Sequence, residues 1–363
     1  MRALPARTIA ARVRVMRVPA LAFLALAATG GAYRADSRPQ PEPAPPGGSA
    51  IESVAIPGAP SGGLFLDYLA VDRPRGRVWI PAGGTGSVVV IEAKSGEVHR
   101  IEGFKTAQVE RRGTTFNVGP SSATVGDGVV YVGNRGDTSV CAVDAKTLAR
   151  AGCATLPGSP DGVAFVARTK EVWTTTPRDR SIVVIDVAAP KAPKVAGSFE
   201  LPGDPEGYAV DDAHGVFYTN LEDKDKTLAI DVASRKVKAT WEPACGERGP
   251  RGLALDAAGK FLMVACTDHV EVLDTGDGRI VGKVDTGEGV DNLDYVPKTR
   301  TLYAAAGRAG TLTVAHLDER GVLTRTVSVA TAKGARNAVA TEGGTAFIGD
   351  GPEGRIVIVK LGR

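Results

Sequence analysis

Eight carboxylates occur in one 29-residue stretch, GDPEGYAVDDAHGVFYTNLEDKDKTLAID (203–231). Within it Asp204 and Glu206 are two residues apart, and Asp211 and Asp212 are adjacent. Carboxylate oxygens at this density could bind a divalent cation, and paired carboxyl groups could act as general acid and base. Which chemistry is available depends on the elements that carry the acids.

The acids belong to a repeat that runs through most of the chain. From residue 51 onwards, short alternating runs rich in β-branched residues are separated by Gly, Pro, Asn and Asp, without a helical stripe of useful length. An acid closes a strand of the VxVID type about every 44 residues, and a large side chain recurs one strand earlier. The acids are Glu92, Asp144, Asp186, Asp231, Asp274 and Asp318, and the large side chains are Trp79, Tyr131, Trp173, Phe217, Met263, Tyr303 and Phe347.

Seven such units predict an all-β fold, a seven-bladed β-propeller with four strands in each blade, over residues 50–363. The seventh unit ends after RIVIVK without a fourth strand. The segment AIESVAIPG (50–58) alternates as the fourth strands do, so we expect this N-terminal strand to complete the last blade and close the ring. The longer first unit predicts an insertion near residues 107–116.

Two units resemble the YVTN-type repeat of seven-bladed β-propellers. VVYVGNRGDTSVCAVDAKT (129–147) and GVFYTNLEDKDKTLAIDVAS (215–234) pair a YVTN-like strand with a VxVID-like strand, and GSPDGVAF and RGPRGLALD are similar to the family's opening element. The resemblance covers about residues 58–363, although PAGG, AAAG and GDG replace Thr-Asn in units one, six and seven. It implies an exported binding or surface protein. Related propellers include sugar lactonases and the heavy subunits of amine dehydrogenases, so the fold leaves the function open.

The N-terminus is typical of a secretory signal at residues 1–35, with arginines, a short apolar run and then small residues. The alternative is an uncleaved anchor, although a bilayer span needs about 20 apolar residues. Residues 36–49 form a Pro- and Gly-rich linker. We therefore expect a periplasmic or secreted monomer with no membrane span in the mature domain.

Charge argues against nucleic acid as a partner. Six of the 44 basic side chains lie in residues 1–35, which contain no acid, so the remainder has 38 basic and 41 acidic side chains. The basic balance of the whole chain thus belongs to the predicted signal.

Four cysteines in an exported chain predict two disulfides. Cys141 and Cys153 are equally far from a turn near Thr147, which places them opposite each other in one hairpin. Cys245 and Cys266 both lie towards the predicted channel mouth. The pairs 141–153 and 245–266 are thus favoured among the three connectivities. No CxxC or CxxCH motif occurs, and the sequence identifies no cofactor.

The residues that open the seven units are candidates for a binding site. The chain enters each propeller blade at the axis, so these residues should surround one mouth of the central channel. Three units open as P-x-G, where glycine would permit close backbone approach. The opening residues are Asp67, Ser121, Asp161, Glu206, Arg251, Asp291 and Arg336, and the loops after the second strands add Asn134, Arg135, Asn220 and His269 to the same face.

Several kinds of chemistry are open to this set. Four acids could bind a divalent cation, and arginines could grip a carboxylate or phosphate. Alternatively, Glu206 with Arg251, and Asp291 with Arg336, would form salt bridges between neighbouring blades. His269, beside Asp268, is either a general base or a solvated loop residue.

We interpret the chain as a binding or scaffold protein that recognises a small molecule or protein partner at this loop face. One alternative is a metal-dependent lactonase-like hydrolase or lyase with its site at the acidic mouth. Another is a subunit of an exported redox assembly whose cofactor resides on a partner. Most acids of residues 203–231 fall in turns of one blade, which leaves Glu206 as the acid of interest there.

Overall fold

The computed structural model describes residues 49–111 and 113–362. The predicted signal (1–35) lies outside the described residues, as does the predicted linker (36–49) except for its last residue. The described part contains thirty β-strands and four three-residue 3-10 helices. No helix in this part is long and apolar enough to cross a membrane. The 3-10 helices are Gly83–Thr85, Pro177–Asp179, Gly246–Arg248 and Pro297–Thr299.

The strands form seven four-stranded antiparallel sheets, the blades, and one separate two-stranded hairpin. In chain order, β1 (Ala50–Ala55) is followed by blade 1 with β2 (Ala70–Asp72), β3 (Arg77–Pro81), β4 (Val88–Glu92) and β5 (Val98–Ile101), and by the hairpin of β6 (Ala107–Arg111) and β7 (Thr114–Val118). Blade 2 contains β8 (Pro120–Gly126), β9 (Val129–Asn134), β10 (Ser139–Asp144) and β11 (Arg150–Thr155), and blade 3 contains β12 (Val163–Val166), β13 (Glu171–Thr176), β14 (Ser181–Asp186) and β15 (Lys194–Glu200).

The remaining four blades repeat this order. Blade 4 contains β16 (Pro205–Asp211), β17 (Val216–Leu221), β18 (Lys226–Asp231) and β19 (Lys236–Trp241), and blade 5 contains β20 (Leu253–Asp256), β21 (Phe261–Ala265), β22 (His269–Asp274) and β23 (Ile280–Asp285). Blade 6 contains β24 (Val290–Val296), β25 (Thr301–Ala306), β26 (Thr311–Leu317) and β27 (Leu323–Ala330), and blade 7 contains β28 (Ala335–Ala340), β29 (Thr345–Asp350) and β30 (Arg355–Lys360) with β1.

The ring closes as the sequence predicts. Strand β1 pairs antiparallel with β30, in register from Ala50 opposite Lys360 to Ala55 opposite Arg355. The first strands of neighbouring blades contact one another around the central channel. The prediction of an all-β seven-bladed propeller, closed by the N-terminal strand, is therefore confirmed.

The hydrophobic core consists of layers between blades. Seven clusters of buried residues occur in the described chain, and each joins two neighbouring blades. Trp79 of β3, for example, packs against Val130 and Val132 of blade 2, and Phe347 of β29 lies with Ile80 of blade 1. The repeated large side chain is thus inter-blade core, since a twisted sheet buries its face only against the next sheet.

The acids at the ends of the third strands accept hydrogen bonds from the turns that follow them. Asp144 accepts hydrogen bonds from the backbone N–H groups of Lys146 and Thr147, and Asp231 accepts one from Ser234. These backbone donors lower the pKa of Asp231 because they stabilise the ionised carboxylate. This column of acids therefore specifies blade geometry.

The acid-rich stretch 203–231 separates in the same way. Asp211 accepts hydrogen bonds from the backbone N–H and the ring Nδ1 of His214. Asp225 accepts hydrogen bonds from the backbone N–H groups of Cys245 and Gly246. These acids lie in different turns, so they do not form one cluster.

Both predicted disulfides are present. Cys141 of β10 and Cys153 of β11 are directly opposite each other and are bonded, with a Cα–Cα distance of 4.0 Å. Cys245, which follows blade 4, is bonded to Cys266, which follows β21 of blade 5. The first bond crosses one hairpin and the second ties two blades together.

The predicted insertion is the hairpin of β6 and β7. Val109 and Phe116 are opposite each other in it, with 36% and 48% of their surface exposed. The adjoining Gly84 approaches the backbone of Asn117, so the base of the hairpin rests on the loop of blade 1.

Deletion of residues 50–57 is expected to destabilise the whole ring. It removes the β1–β30 ladder and Ile56, which is buried in the cluster between blades 7 and 1. We expect the melting temperature to fall by roughly 5–10 °C, since about 1 kcal/mol corresponds to 2–4 °C in a domain of this size. Differential scanning calorimetry checks this, with deletion of residues 38–47 as the control. An unchanged melting temperature would contradict the closure.

Replacing Cys141 and Cys153 together by alanine is expected to cost about 2–4 kcal/mol of unfolding free energy, because the variant no longer closes a loop between these positions in the unfolded chain. Urea unfolding of the variant and the wild type measures the difference. A reductant should reduce the difference by destabilising the wild type more than the variant. Alkylation of either thiol in the unreduced wild type would show that the bond is absent.

Candidate functional site

Four of the predicted acids lie together at one mouth of the channel with two arginines. Arg135, which follows β9, donates to Asp67 Oδ2 at 2.9 Å and also pairs with Asp161 Oδ1. Arg336 Nη1 lies 2.7 Å from Asp291 Oδ2. The charges of Asp67, Asp161 and Asp291 all act on Glu206. We call these residues, with Arg251 and Glu222, the mouth cluster.

Two tyrosines cross the channel beneath the mouth cluster. Tyr68 of blade 1 and Tyr208 of blade 4 stack with ring centroids 5.5 Å apart. Blades 1 and 4 are not neighbours in the ring, so this contact spans the axis. The Tyr68 hydroxyl also donates to Glu206 Oε1 at 3.2 Å. The pair, which we call the aromatic floor, therefore contacts the mouth cluster directly.

Glycines make room for this arrangement. A Cβ atom at Gly162 would collide with the ring of Tyr208, and one at Gly207 would collide with the backbone of Arg251 and Gly252. Both positions meet the entry of the next blade. The P-x-G openings are therefore required by crowding at the axis, as the sequence predicts.

Both tyrosines also line a cavity of about 280 Å³. Its walls include the first strands of several blades, and Arg73 and Asp294 also line it. Arg73 Nη2 donates to both carboxylate oxygens of Asp294, at 2.7 and 2.6 Å. This ion pair links blade 1 to blade 6 across blade 7.

Burial raises the pKa values of Asp67, Asp161, Glu206 and Glu222 at the mouth. Burial is the largest cause at Asp67, whose pKa is raised to about 7 although Arg135 opposes the shift. The pKa of Asp161 is raised for the same reason, again against Arg135. Burial, followed by the charges of neighbouring acids, raises the pKa of Glu206 well above its usual value. Asp67 can therefore hold a proton up to about neutral pH.

Of the two predicted salt bridges between the opening residues, the structure contains one. Arg251 pairs with Glu222, not with Glu206, whereas the expected pair of Asp291 and Arg336 is present. The interpretation of Glu206 and Arg251 as an inter-blade salt bridge was wrong because Glu222, just after β17, reaches the guanidinium group instead.

Two predicted asparagines serve the turns and blade contacts. Asn134 Nδ2 donates to Asp137 Oδ1 at 2.8 Å and to the Lys105 carbonyl oxygen at 3.1 Å. Asn220 donates to the carbonyl oxygen of Arg251 and accepts from Thr227 Oγ1 at 2.7 Å. Both side chains hold turns and neighbouring blades together, which explains why the YVTN-like motif carries Asn at this position.

His269 begins β22, the third strand of blade 5, and is held between two acids. Its Nδ1 lies 2.6 Å from Asp268 Oδ1 and its Nε2 lies 3.3 Å from Glu271 Oε1. One strand, β21, lies between β22 and the channel-lining strand β20, and neighbouring strands are about 4.8 Å apart. The structure thus places this histidine apart from the mouth cluster.

The aromatic floor and one amide were not predicted from the sequence. Tyr68 and Tyr208 lie inside the opening tetrapeptides, where the other units carry small, aliphatic or amide residues at those positions. Asn337 opens blade 7 beside Arg336, and its Nδ2 lies 3.5 Å from Asp67 Oδ1. The only sign in the sequence was that these units carry residues at their opening positions that differ from those of the other units.

A divalent cation is a poor fit for the mouth. Among residues 49–111 and 113–362, no group of three or more His, Cys, Asp or Glu side chains is arranged to hold a metal ion. Arg135, Arg251 and Arg336 occupy the carboxylates that would have to converge.

Comparison with known proteins supports the fold. No protein-family model matches the chain, and no curated protein sequence matches it. Similar solved structures include a chain of the mitotic checkpoint complex, with a TM-score of 0.67, 14% identity, and coverage of 96% of this chain and 100% of that chain.

Two lyases are also similar. A streptogramin B lyase has a TM-score of 0.65 and 13% identity, over 86% of this chain and 98% of that chain. A catalytically inactive variant of virginiamycin B lyase from Staphylococcus aureus, with quinupristin, has the same TM-score and identity, over 86% of this chain and 100% of that chain. Similarities at this identity show a shared propeller fold.

Replacing Asp67 by Asn is expected to flatten the pH dependence of stability. The folded-state pKa of about 7 lies above the ordinary 3.8, so the folded protein holds the extra proton between these values. The stability from this carboxyl group is therefore present below about pH 4 and is lost as the pH rises through about 7. Urea unfolding should show that the wild type loses more stability than D67N between pH 5 and 8.

The matched control for this comparison is D285N, which changes an exposed acid at the end of β23 in blade 5. It should follow the wild-type slope. If D67N also follows the wild-type slope, burial does not raise the pKa of Asp67.

Proposed function

We propose that this chain is an exported β-propeller of the YVTN-repeat type that binds a small molecule or a protein partner at the mouth cluster. The observation that carries the proposal is the convergence of charged groups from several blades at the channel mouth, beside the stacked rings of Tyr68 and Tyr208. Ligand sites commonly contain a few polar groups that converge on one place in a rigid fold.

Rigidity at the axis supports a recognition role. Arg135 of blade 2 bridges acids of blades 1 and 3, and the tyrosines join blades 1 and 4. The polar groups are therefore held in place before a ligand arrives. Preorganisation of this kind increases affinity because less side-chain freedom is lost on binding.

Export is supported by two features of different kinds. The N-terminal arginines and short apolar run are typical of a secretory signal. All four cysteines are disulfide-bonded, which fits an oxidising compartment such as the periplasm or the extracellular space.

A metal-dependent lactonase-like hydrolase or lyase has less support. Similar structures include two lyases, but at 13% identity. Four of the five acids of the mouth cluster are engaged by arginines, and no metal-binding group is formed in the described chain. Recognition therefore accounts better for the arrangement.

A ligand panel tests the proposal. Thermal-shift measurements with cationic, anionic, neutral sugar and lactone compounds, and with Ca²⁺, Mg²⁺ and Mn²⁺, identify binders. Hydrogen exchange then locates them. We expect protection of segments 64–69, 158–163 and 203–208, which enter blades 1, 3 and 4. Protection confined to the outer strands would place the site elsewhere and overturn the proposal.

A further inference from the structure

The mouth cluster contains more acids than bases. Its five carboxyl groups are those of Asp67, Asp161, Glu206, Glu222 and Asp291, and its three guanidinium groups are those of Arg135, Arg251 and Arg336. Each arginine is paired with one or two of the acids. Glu206 alone has no ion pair within the described chain, and its hydrogen bond comes from the neutral Tyr68 hydroxyl.

Buried hydrogen-bond acceptors at the mouth also lack donors. Asn337 is only 2% exposed, and its Nδ2 lies 3.5 Å from Asp67 Oδ1, so its amide lies beside the cluster, where the residue also lines the cavity of Tyr68 and Tyr208. Its Oδ1 has no partner among the described residues, and neither has Asp161 Oδ2. Buried acceptors without partners are costly. The amide oxygen is thus evidence for a ligand that is independent of the acids.

A partner that brings positive charge and hydrogen-bond donors matches these groups. All three guanidinium groups already pair with acids, so an anion would meet a cluster that contains more acids than arginines. A cation would meet the same excess of acids with favourable charge. The mouth also accommodates cations on aromatic rings, since the Arg135 guanidinium lies 5.0 Å from the ring centre of Phe65.

We infer that the mouth cluster is a binding site for a primary ammonium or guanidinium group, with Glu206 as its counter-ion and Asn337 and Asp161 as further acceptors. This inference rests on the proposed binding function and names its ligand class. The ammonium or guanidinium group belongs either to a small amine or to a lysine or arginine side chain of a polypeptide.

Binding should depend on pH. Asp67, Asp161, Asp291, Glu222, Arg336 and the Tyr68 hydroxyl face Glu206. The acids among them favour its protonated form, whereas the charge of Arg336 favours the ionised form. A bound cation also favours the ionised form, so binding displaces the proton. Affinity for the cation should therefore rise as the pH increases.

Isothermal titration calorimetry with n-butylammonium, agmatine and the peptide Gly-Lys-Gly tests the site at pH 8, with 1-butanol as the neutral probe. We expect at least one cationic probe to bind and 1-butanol not to bind. E206Q should weaken that binding at least about tenfold, since it removes the counter-ion and keeps an oxygen for the Tyr68 hydroxyl. Binding of the small amines alone identifies a metabolite-like ligand, and binding of the peptide alone identifies a side chain.

The matched control is E319Q, at an exposed acid of the turn after β26, which should bind as the wild type does. Thermal melting of both variants verifies that each is folded. The inference is overturned if no cationic probe binds, or if folded E206Q binds as tightly as the wild type. An anionic or neutral compound that binds at the mouth would overturn it and leave the proposed function intact.

Discussion

The pairing of β1 with β30 is the contact on which the rest of this structure depends. A single blade has no core of its own, because its apolar side chains are buried only against the neighbouring blades. Seven inter-blade layers form only when the ring is complete. The N-terminal strand supplies the fourth strand of blade 7, so the cluster between blades 7 and 1 unites the two ends of the domain.

Closure brings seven first strands to one narrow axis, and the crowding there decides which residues fit. Gly162 and Gly207 leave room for the next blade where any side chain would collide. The space that remains is filled by Tyr68 and Tyr208 from non-adjacent blades. Arg135 then bridges Asp67 and Asp161, because buried carboxylates are tolerated only when they are paired or protonated. Crowding and desolvation together produce the raised pKa values of Asp67, Asp161 and Glu206.

Carboxyl groups in this fold have lowered or raised pKa values according to their position in the blade. Asp231 ends β18 at an outer turn. It accepts a hydrogen bond from the backbone N–H of Ser234 and has a lowered pKa. Glu206 lies at the axis among other acids and has a raised pKa. The number of acids in a segment therefore says little about its chemistry, and the distance of each acid from the axis says more.

The sequence by itself determined the number of blades, the four-strand order, the inserted hairpin, the closing strand and both disulfides. Each of these follows from a local pattern that recurs with a period of about 44 residues, or from symmetry about one turn. It also indicated which acids open the blades, and it correctly paired Asp291 with Arg336.

Only the tertiary structure decided how the channel mouth is built. Tyr68 contacts Glu206 across 138 positions of the chain, from blade 1 to blade 4, and no periodic pattern encodes such a contact. Arg251 was expected to meet Glu206, the acid at the same repeat position, but Glu222 reaches it from the end of the second strand of blade 4. A repeat specifies what is equivalent from blade to blade. The site depends on the residues that differ between blades, and their contacts exist only after the ring has closed.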